Sequence, residues 1–285
     1  MFYLPVIGAF FDATGMILTK KILKNKFVNN KIFTFMLFLG MVIVMLPLIY
    51  FFWKFDINAL QPINIAIFIA IIITSIFANL LIFYSLKKES INEIEPVILL
   101  QPLMTILIAY FLSFFFIKFA NEGNIKILGL ALIASIALIT SHIKKHHIVF
   151  DKYILAAIIG SLMYATEMVL SRFILEFYSP ISFFFIRCLL ILIVITILYK
   201  PSLKKINNKI KLLTLVTCIL GVSLRSIVYY GYENLGVIFT TTLFILSPVL
   251  IHIMAVIYLK EKMEFKNILA TIVILACVVA SIFIK

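Results

Sequence analysis

The stretch Ala13-Thr14-Gly15-Met16-Ile17-Leu18-Thr19-Lys20 returns 152 residues later as Ala165-Thr166-Glu167-Met168-Val169-Leu170-Ser171-Arg172. A second correspondence follows in the same order. Tyr84 and Pro102 stand 18 residues apart, and so do Tyr230 and Pro248, at an offset of 146. Each of these pairs joins the end of one apolar run to the middle of the next. Self-similarity at a near-constant offset is the signature of a repeated structural unit. The drop from 152 to 146 is a few residues of connecting loop, so the halves divide as 1–147 and 148–285.

Working outward from the repeat, ten apolar segments cover the chain: Phe2–Thr19, Ile32–Trp53, Ile63–Leu86, Pro96–Ile117, Ile127–Ile143, Tyr153–Leu170, Pro180–Tyr199, Leu212–Tyr232, Val237–Leu259 and Ile268–Ile284. Most approach the roughly 20 residues that cross a hydrocarbon core, and backbone groups in lipid must be satisfied within the segment, so the segments are read as helices. Five helices per half is an odd number, so the second half enters the membrane from the opposite face. The expected fold is an all-α integral membrane protein whose ten transmembrane helices form two inverted five-helix repeats, the architecture of alternating-access carriers. The first segment carries Asp12 at its middle and lacks a basic n-region, which argues against a cleaved signal peptide.

Composition excludes a soluble domain: 64% of the 285 residues are hydrophobic and 13% charged, too few polar groups for a water-facing surface. The net charge of +13 lies mostly in short connections, where Lys and Arg report orientation and contact with anionic lipid and not a nucleic-acid partner. Cys188, Cys218 and Cys277 lie in apolar runs without CxxC spacing and read as small hydrophobes. His142, Lys144, Lys145, His146 and His147 cluster between the fifth and sixth segments without acid or thiol at ligand spacing apart from Asp151, and read as a solvated basic link. No metal or other cofactor is expected. A phosphate loop of the GxxxxGK[ST] type is absent, as are HExxH, GxGD and a Ser/His/Asp arrangement, which weighs against primary transport and against an enzyme.

Several motifs carry a resemblance. Tyr229-Tyr230-Gly231-Tyr232, Leu246-Ser247-Pro248-Val249 and Leu259-Lys260-Glu261-Lys262, continuing to Ala280, resemble the drug/metabolite transporter superfamily, EamA type. Phe185-Ile186-Arg187-Cys188-Leu189-Leu190 resembles that family's Arg near the start of the second helix of a repeat. The first half matches through Tyr84, Gln101-Pro102-Leu103 and Leu128-Gly129-Leu130. It departs at Phe38, where the Arg would stand, and at Phe115, where a turn acid would stand, with Glu122 nearby but out of register. The resemblance implies transport of a small solute and leaves the substrate open.

An ionisable side chain at bilayer depth costs about 2.5–3.5 kcal/mol on insertion scales and therefore faces a bundle interior or a wet cavity. Asp12, Glu167, Arg187 and Arg225 qualify. Gly8, Asp12, Gly15 and Thr19 share one helical face, and their partners at offset 152 are Gly160, Tyr164, Glu167 and Ser171. These faces are expected to meet. Each acid either pairs with an Arg or lines the route and takes a proton or a cationic group. Arg225, opposite Asn79 in the repeat and one turn before Tyr229 and Tyr230, suits a carboxylate or phosphate, or else a permanent salt bridge to Glu167 or Asp12. Arg187, nearer its helix end, reads as snorkelling or structurally paired. Gln101-Pro102 and Ser247-Pro248 sit mid-helix, where proline frees a carbonyl and a broken helix borders a site or merely kinks. His252 lies one turn beyond Pro248. The candidate set is thus Asp12, Asn79, Tyr84, Gln101, Tyr164, Glu167, Arg225, Tyr229, Tyr230, Ser247 and His252.

The function expected is secondary active transport of a small organic solute, with a proton as candidate coupling ion. The alternatives are a lipid or lipid-linked sugar flippase of the same fold and, further off, a membrane-embedded enzyme. The expected location is the plasma (cytoplasmic) membrane, as a multi-pass monomer or homodimer in contact with lipid, solute and protons. Connections numbered in chain order hold 18 Lys and Arg when odd and 5 when even, the C-terminus included. Positive-inside bias puts the odd connections in the cytoplasm and both termini outside, whereas the resemblance implies termini inside.

Overall fold

The computed structural model describes residues 3–88, 97–142, 151–203, 206–247, 250 and 265–284. Those residues form α1 (Tyr3–Leu23), α2 (Asn30–Phe52), α3 (Pro62–Lys88), α4 (Leu100–Ser113), α5 (Ile125–His142), α6 (Lys152–Ile174), α7 (Pro180–Tyr199), α8 (Asn208–Asn234), α9 (Val237–Phe244) and α10 (Phe265–Ile284). Short 3₁₀ turns cover Ile57–Leu60, Ile117–Gly123 and Leu175–Phe177, and no strand occurs among the described residues.

Local chemistry sets the ends. A helix leaves its first N–H groups unpaired, and Asn, Asp or Ser at the N-cap accepts them. Asn29 accepts from Ile32 N, Asp151 from Tyr153 N and Ile154 N, and Asn207 from Lys209 N. Ser179 caps α7 by accepting from Ser182 N, with Pro180 at the first position, where its missing N–H costs nothing. At the other end of α7, Lys200 closes the helix in the left-handed region at φ 41°.

Five helices, α2, α3, α6, α7 and α8, are long and apolar enough to cross a membrane, or six if the bent pair Leu100–Ser113 and Ile117–Gly123 counts as one span. The chain is a multi-pass membrane protein. Of the other expected spans, α1 carries Asp12 with Lys20 and Lys21 in its last turn, and most of the ninth span lies outside the described residues. α4 bends by 116° into the turn that follows it.

The packing is paired. α3 lies along α6 and α1 along α8, while α2 packs on α7 and α5 on α10. Glycine permits the two long crossings. A Cβ on Gly8 would lie 2.7 Å from the Phe244 ring and 3.5 Å from Ile227, and one on Gly160 would lie 2.7 Å from Ile82 and 3.3 Å from Leu81. Gly8 and Gly160 are 152 apart, and Leu81 and Ile227 are 146 apart, so the close approaches occur at positions matched by the repeat offsets. The α2–α3 and α6–α7 connections meet through Asp56 N to Phe177 O at 2.8 Å and an isolated bridge between Phe55 and Tyr178.

Candidate functional site

Two helix breaks organise the interior. Proline cannot donate to the carbonyl four residues back, so Pro102 releases the Ile98 carbonyl. The helical hydrogen-bond pattern is interrupted at Leu99 and at Ile245, three residues before each proline, while both residues keep right-handed backbone angles. α4 starts just after the first break and α9 ends just before the second. Pro102 therefore lies in the first turn of α4, not in the middle of a continuous helix. Pro248 and His252 lie outside the described residues.

Both breaks open on a cavity. One lobe, of about 170 Å³, is lined by Ile98, Leu99, Phe244 and Ile245 together with Asp12 and Arg225. The adjoining lobe, of about 240 Å³, shares Asp12, Ile98, Gln101 and Arg225, and adds Asn79 and Tyr164. Asp12 accepts a hydrogen bond from Ser247 Oγ at 3.0 Å. Arg225 lies over the Tyr164 ring at 5.4 Å and directs Nη1 to the Met168 sulfur at 2.9 Å. Tyr164 OH donates to Asn79 Oδ1 at 2.6 Å, and Asn79 Nδ2 donates to Ser75 O. Among the described residues no carboxylate pairs with Arg225 and no cation pairs with Asp12. The cavity lining thus includes Asp12 and Arg225, neither held in an ion pair among the described residues, and Arg187, which is.

Glu167 and Arg187 are different. Arg187 Nη1 stands 3.0 Å from Glu167 Oε1 with both side chains buried, at 2% and 0% exposure. Arg187 also donates to Tyr229 OH and, at 2.6 Å, to Ser75 Oγ. Tyr229 OH is 3.3 Å from Glu167 Oε1, and the Tyr229 ring sits edge-on to Phe183 and Phe184. Glu167 Oε2 and Arg187 Nε lack a hydrogen-bond partner among the described residues. A buried polar atom left unpaired costs about 1–3 kcal/mol, so this cluster is a poor choice for stability alone.

The two acids expected to face one another are thus separated: Asp12 lines the cavity and Glu167 is locked to Arg187. The partner of Glu167 is Arg187, not Arg225, and Arg187 does not snorkel, because the carboxylate offsets the cost of holding it inside. Of the other candidates, Gln101, Asn79 and Tyr164 line the cavity and Ser247 reaches it through Asp12. Tyr229 belongs to the buried cluster. Tyr84 instead packs its ring on Tyr153 at 5.1 Å, and neither it nor Tyr230 lines either lobe. Sequence reasoning passed over Ser75 and Met168, whose side chains carry no signal in an apolar helix. It also set aside Glu122, which accepts from Val237 N and, at 2.9 Å, from Ile238 N, capping α9. Gly236 before it has φ 91°, and a Cβ there would stand 2.8 Å from Glu122 Oε1. The acid of this connection is therefore Glu122, and a lone Glu five residues before the next apolar run was its available signal.

A model of the EamA-like transporter family matches residues 2–141 and again 151–283. The chain belongs to the EamA-like transporter family. It is a member of the drug/metabolite transporter superfamily, whose proteins are membrane transporters and not enzymes. A solved structure described only as "Crystal structure of protein" is similar to this chain with a TM-score of 0.72 at 16% identity, covering 99% of this chain and 96% of the other. At that identity the likeness is one of fold. No curated protein matches the chain.

Proposed function

We propose that this EamA-like protein is a secondary active transporter. In this reading ten membrane helices, arranged as two inverted five-helix repeats, carry a small organic solute by alternating access. Three observations support the arrangement: the family match falls twice on the chain, α3 with α6 mirrors α8 with α1, and the glycine crossings obey the repeat offsets. The observation that carries the function is the cavity between the two helix breaks, which presents Asp12 and Arg225, neither in an ion pair among the described residues. A guanidinium free of a carboxylate is suited to an anionic group of the solute. A carboxylate free of a cation is suited to a cationic group or to the coupling proton. In the same reading the odd-numbered connections face the cytoplasm.

A thermal-shift screen of the purified protein with amino acids, nucleobases, organic anions and organic cations tests this, since a solute bound only to the folded state raises its apparent stability. A carboxylate-bearing solute is expected to score, and Arg225→Lys, which keeps the charge but loses the bidentate fork, to weaken it about tenfold. Asp12→Asn should abolish gradient-driven uptake in vesicles while the protein stays folded. Stabilisation by bulky cations alone, or undiminished uptake by Asp12→Asn, would overturn these roles.

A further inference from the structure

We infer that Glu167, Arg187, Tyr229 and Ser75 form a latch that holds one end of the solute route shut, and that the chain is built with the latch at one end only. The inference rests on the alternating-access reading and concerns how its site is gated.

The latch has a position and a counterpart. If α6 and α8 start at the odd-numbered connections, Glu167 and Tyr229 lie in the later halves of those helices, toward the even-numbered connections. Arg187 is the eighth residue of α7, which runs the other way, so it lies at the same end. Ser75 brings in α3, which joins the two halves of the chain through Arg187 at 2.6 Å. The residues matched to Glu167 and Tyr229 by the repeat offsets are Gly15 and Phe83, and Phe38 stands where Arg187 has its counterpart. None of these three carries a charge or a hydroxyl, and all three line the larger lobe of the cavity. A Cβ on Gly15 would meet no atom within 4 Å, so there is open space where Glu167 is fully enclosed. The cavity accordingly runs from Asp12 past Gly15 to Thr19 on α1, and from Asn79 to Leu86 on α3, toward the odd-numbered connections. Toward the opposite end Arg187 and Phe184 of the cluster bound the larger lobe, and only the smaller lobe continues, along Met168, Val228 and Tyr232 in the later halves of α6 and α8. A carrier whose two ends differ in this way rests with the unlatched end open. It must break the contacts of Arg187 to expose the other.

Cysteine labelling in detergent, where reagent reaches both ends, tests this. In a background with Cys188, Cys218 and Cys277 replaced by Ala, Ile82→Cys and Val228→Cys are reporters at offset-matched cavity positions. Ile82→Cys is expected to react faster. The double variant Glu167→Gln/Arg187→Gln should raise the Val228→Cys rate about tenfold, the factor that corresponds to losing one charge-assisted hydrogen bond, and slow Ile82→Cys. Tyr229→Phe keeps the ring against Phe183 and Phe184 and should shift the ratio in the same direction by less. If the double variant does not fold, Tyr229→Phe decides alone, and an unchanged ratio there overturns the latch. Labelling needs no solute, so a protein that transports nothing fails the transport reading and leaves this ratio readable. An unchanged ratio in a protein that does transport removes the latch only.

Discussion

The surroundings of Gly15 and of Glu167 have the same helical framework and opposite chemistry. In each, the first helix of a half crosses the third helix of the other at a glycine, Gly8 or Gly160. One turn on, Tyr164 donates to Asn79 as a neutral, satisfied pair, whereas the offset-matched residues Asp12 and Arg225 are charged and form no ion pair with each other. A further turn on, the order of polarity reverses, with Glu167 and Arg187 paired in one region and Gly15 and Phe38 in the other. Positions that set interhelical distance are alike because backbone approach tolerates no alternative. Positions that face the route differ because each end is asked to do something different.

The largest effect should come from splitting the buried pair. Arg187→Met leaves Glu167 enclosed without a partner, and removing one member of a buried pair costs about 3–5 kcal/mol. Denaturant unfolding in detergent should show that loss. Replacing both, as Glu167→Met/Arg187→Met, should recover most of it, since packed apolar side chains of similar volume are often as stable as the pair they replace. A double variant no more stable than Arg187→Met would mean that the cluster is structural and not a latch. The comparison would then lose its functional meaning.

The shared crossings predict a smaller loss. Gly160→Ala forces Ile82 Cγ1 away from 2.7 Å and presses on the Ile82 backbone nitrogen at 3.3 Å. Overpacking of this kind costs about 1–3 kcal/mol. The thermal midpoint should fall, and an unchanged midpoint would show that α3 and α6 can part there, contrary to the crossing as described.

Much of this framework was legible before the structure. The bounds of α7 coincide with the apolar run Pro180–Tyr199 because Ser179 and Pro180 make a strong start, and each of the ten apolar segments overlaps one of the described helices. The sequence puts Gln101-Pro102 mid-helix, but the helix restarts at Leu100, because what proline disturbs is the carbonyl four residues upstream. Asp12, Gln101, Tyr164 and Arg225 could be found because polarity at bilayer depth is costly and therefore conspicuous. Ser75 could not, since a serine is cheap in a membrane helix and bonds its own backbone as readily as a neighbour. Of the two readings of Arg187, snorkelling and structural pairing, the structure shows the pairing. Helix ends say where a side chain begins, and the partner, Glu167 on another helix, says where it goes.

The smallest effect is the most diagnostic of the difference between the regions. Gly15→Ala places a methyl where no heavy atom lies within 4 Å, so nothing must move to admit it. In an exposed helix interior Ala is favoured over Gly by roughly 0.5–1 kcal/mol, because Gly gives up more backbone freedom on folding. Were Gly15 a packing glycine like Gly8 or Gly160, the overpacking cost would exceed that gain and the thermal midpoint would drop. With Gly15 on open space, the midpoint should hold or rise slightly, and the contrast with Gly160→Ala, measured side by side, removes differences of detergent and expression. A clear drop for Gly15→Ala would mean that the end near Gly15 is filled in the purified protein, which is the state the cavity lining excludes.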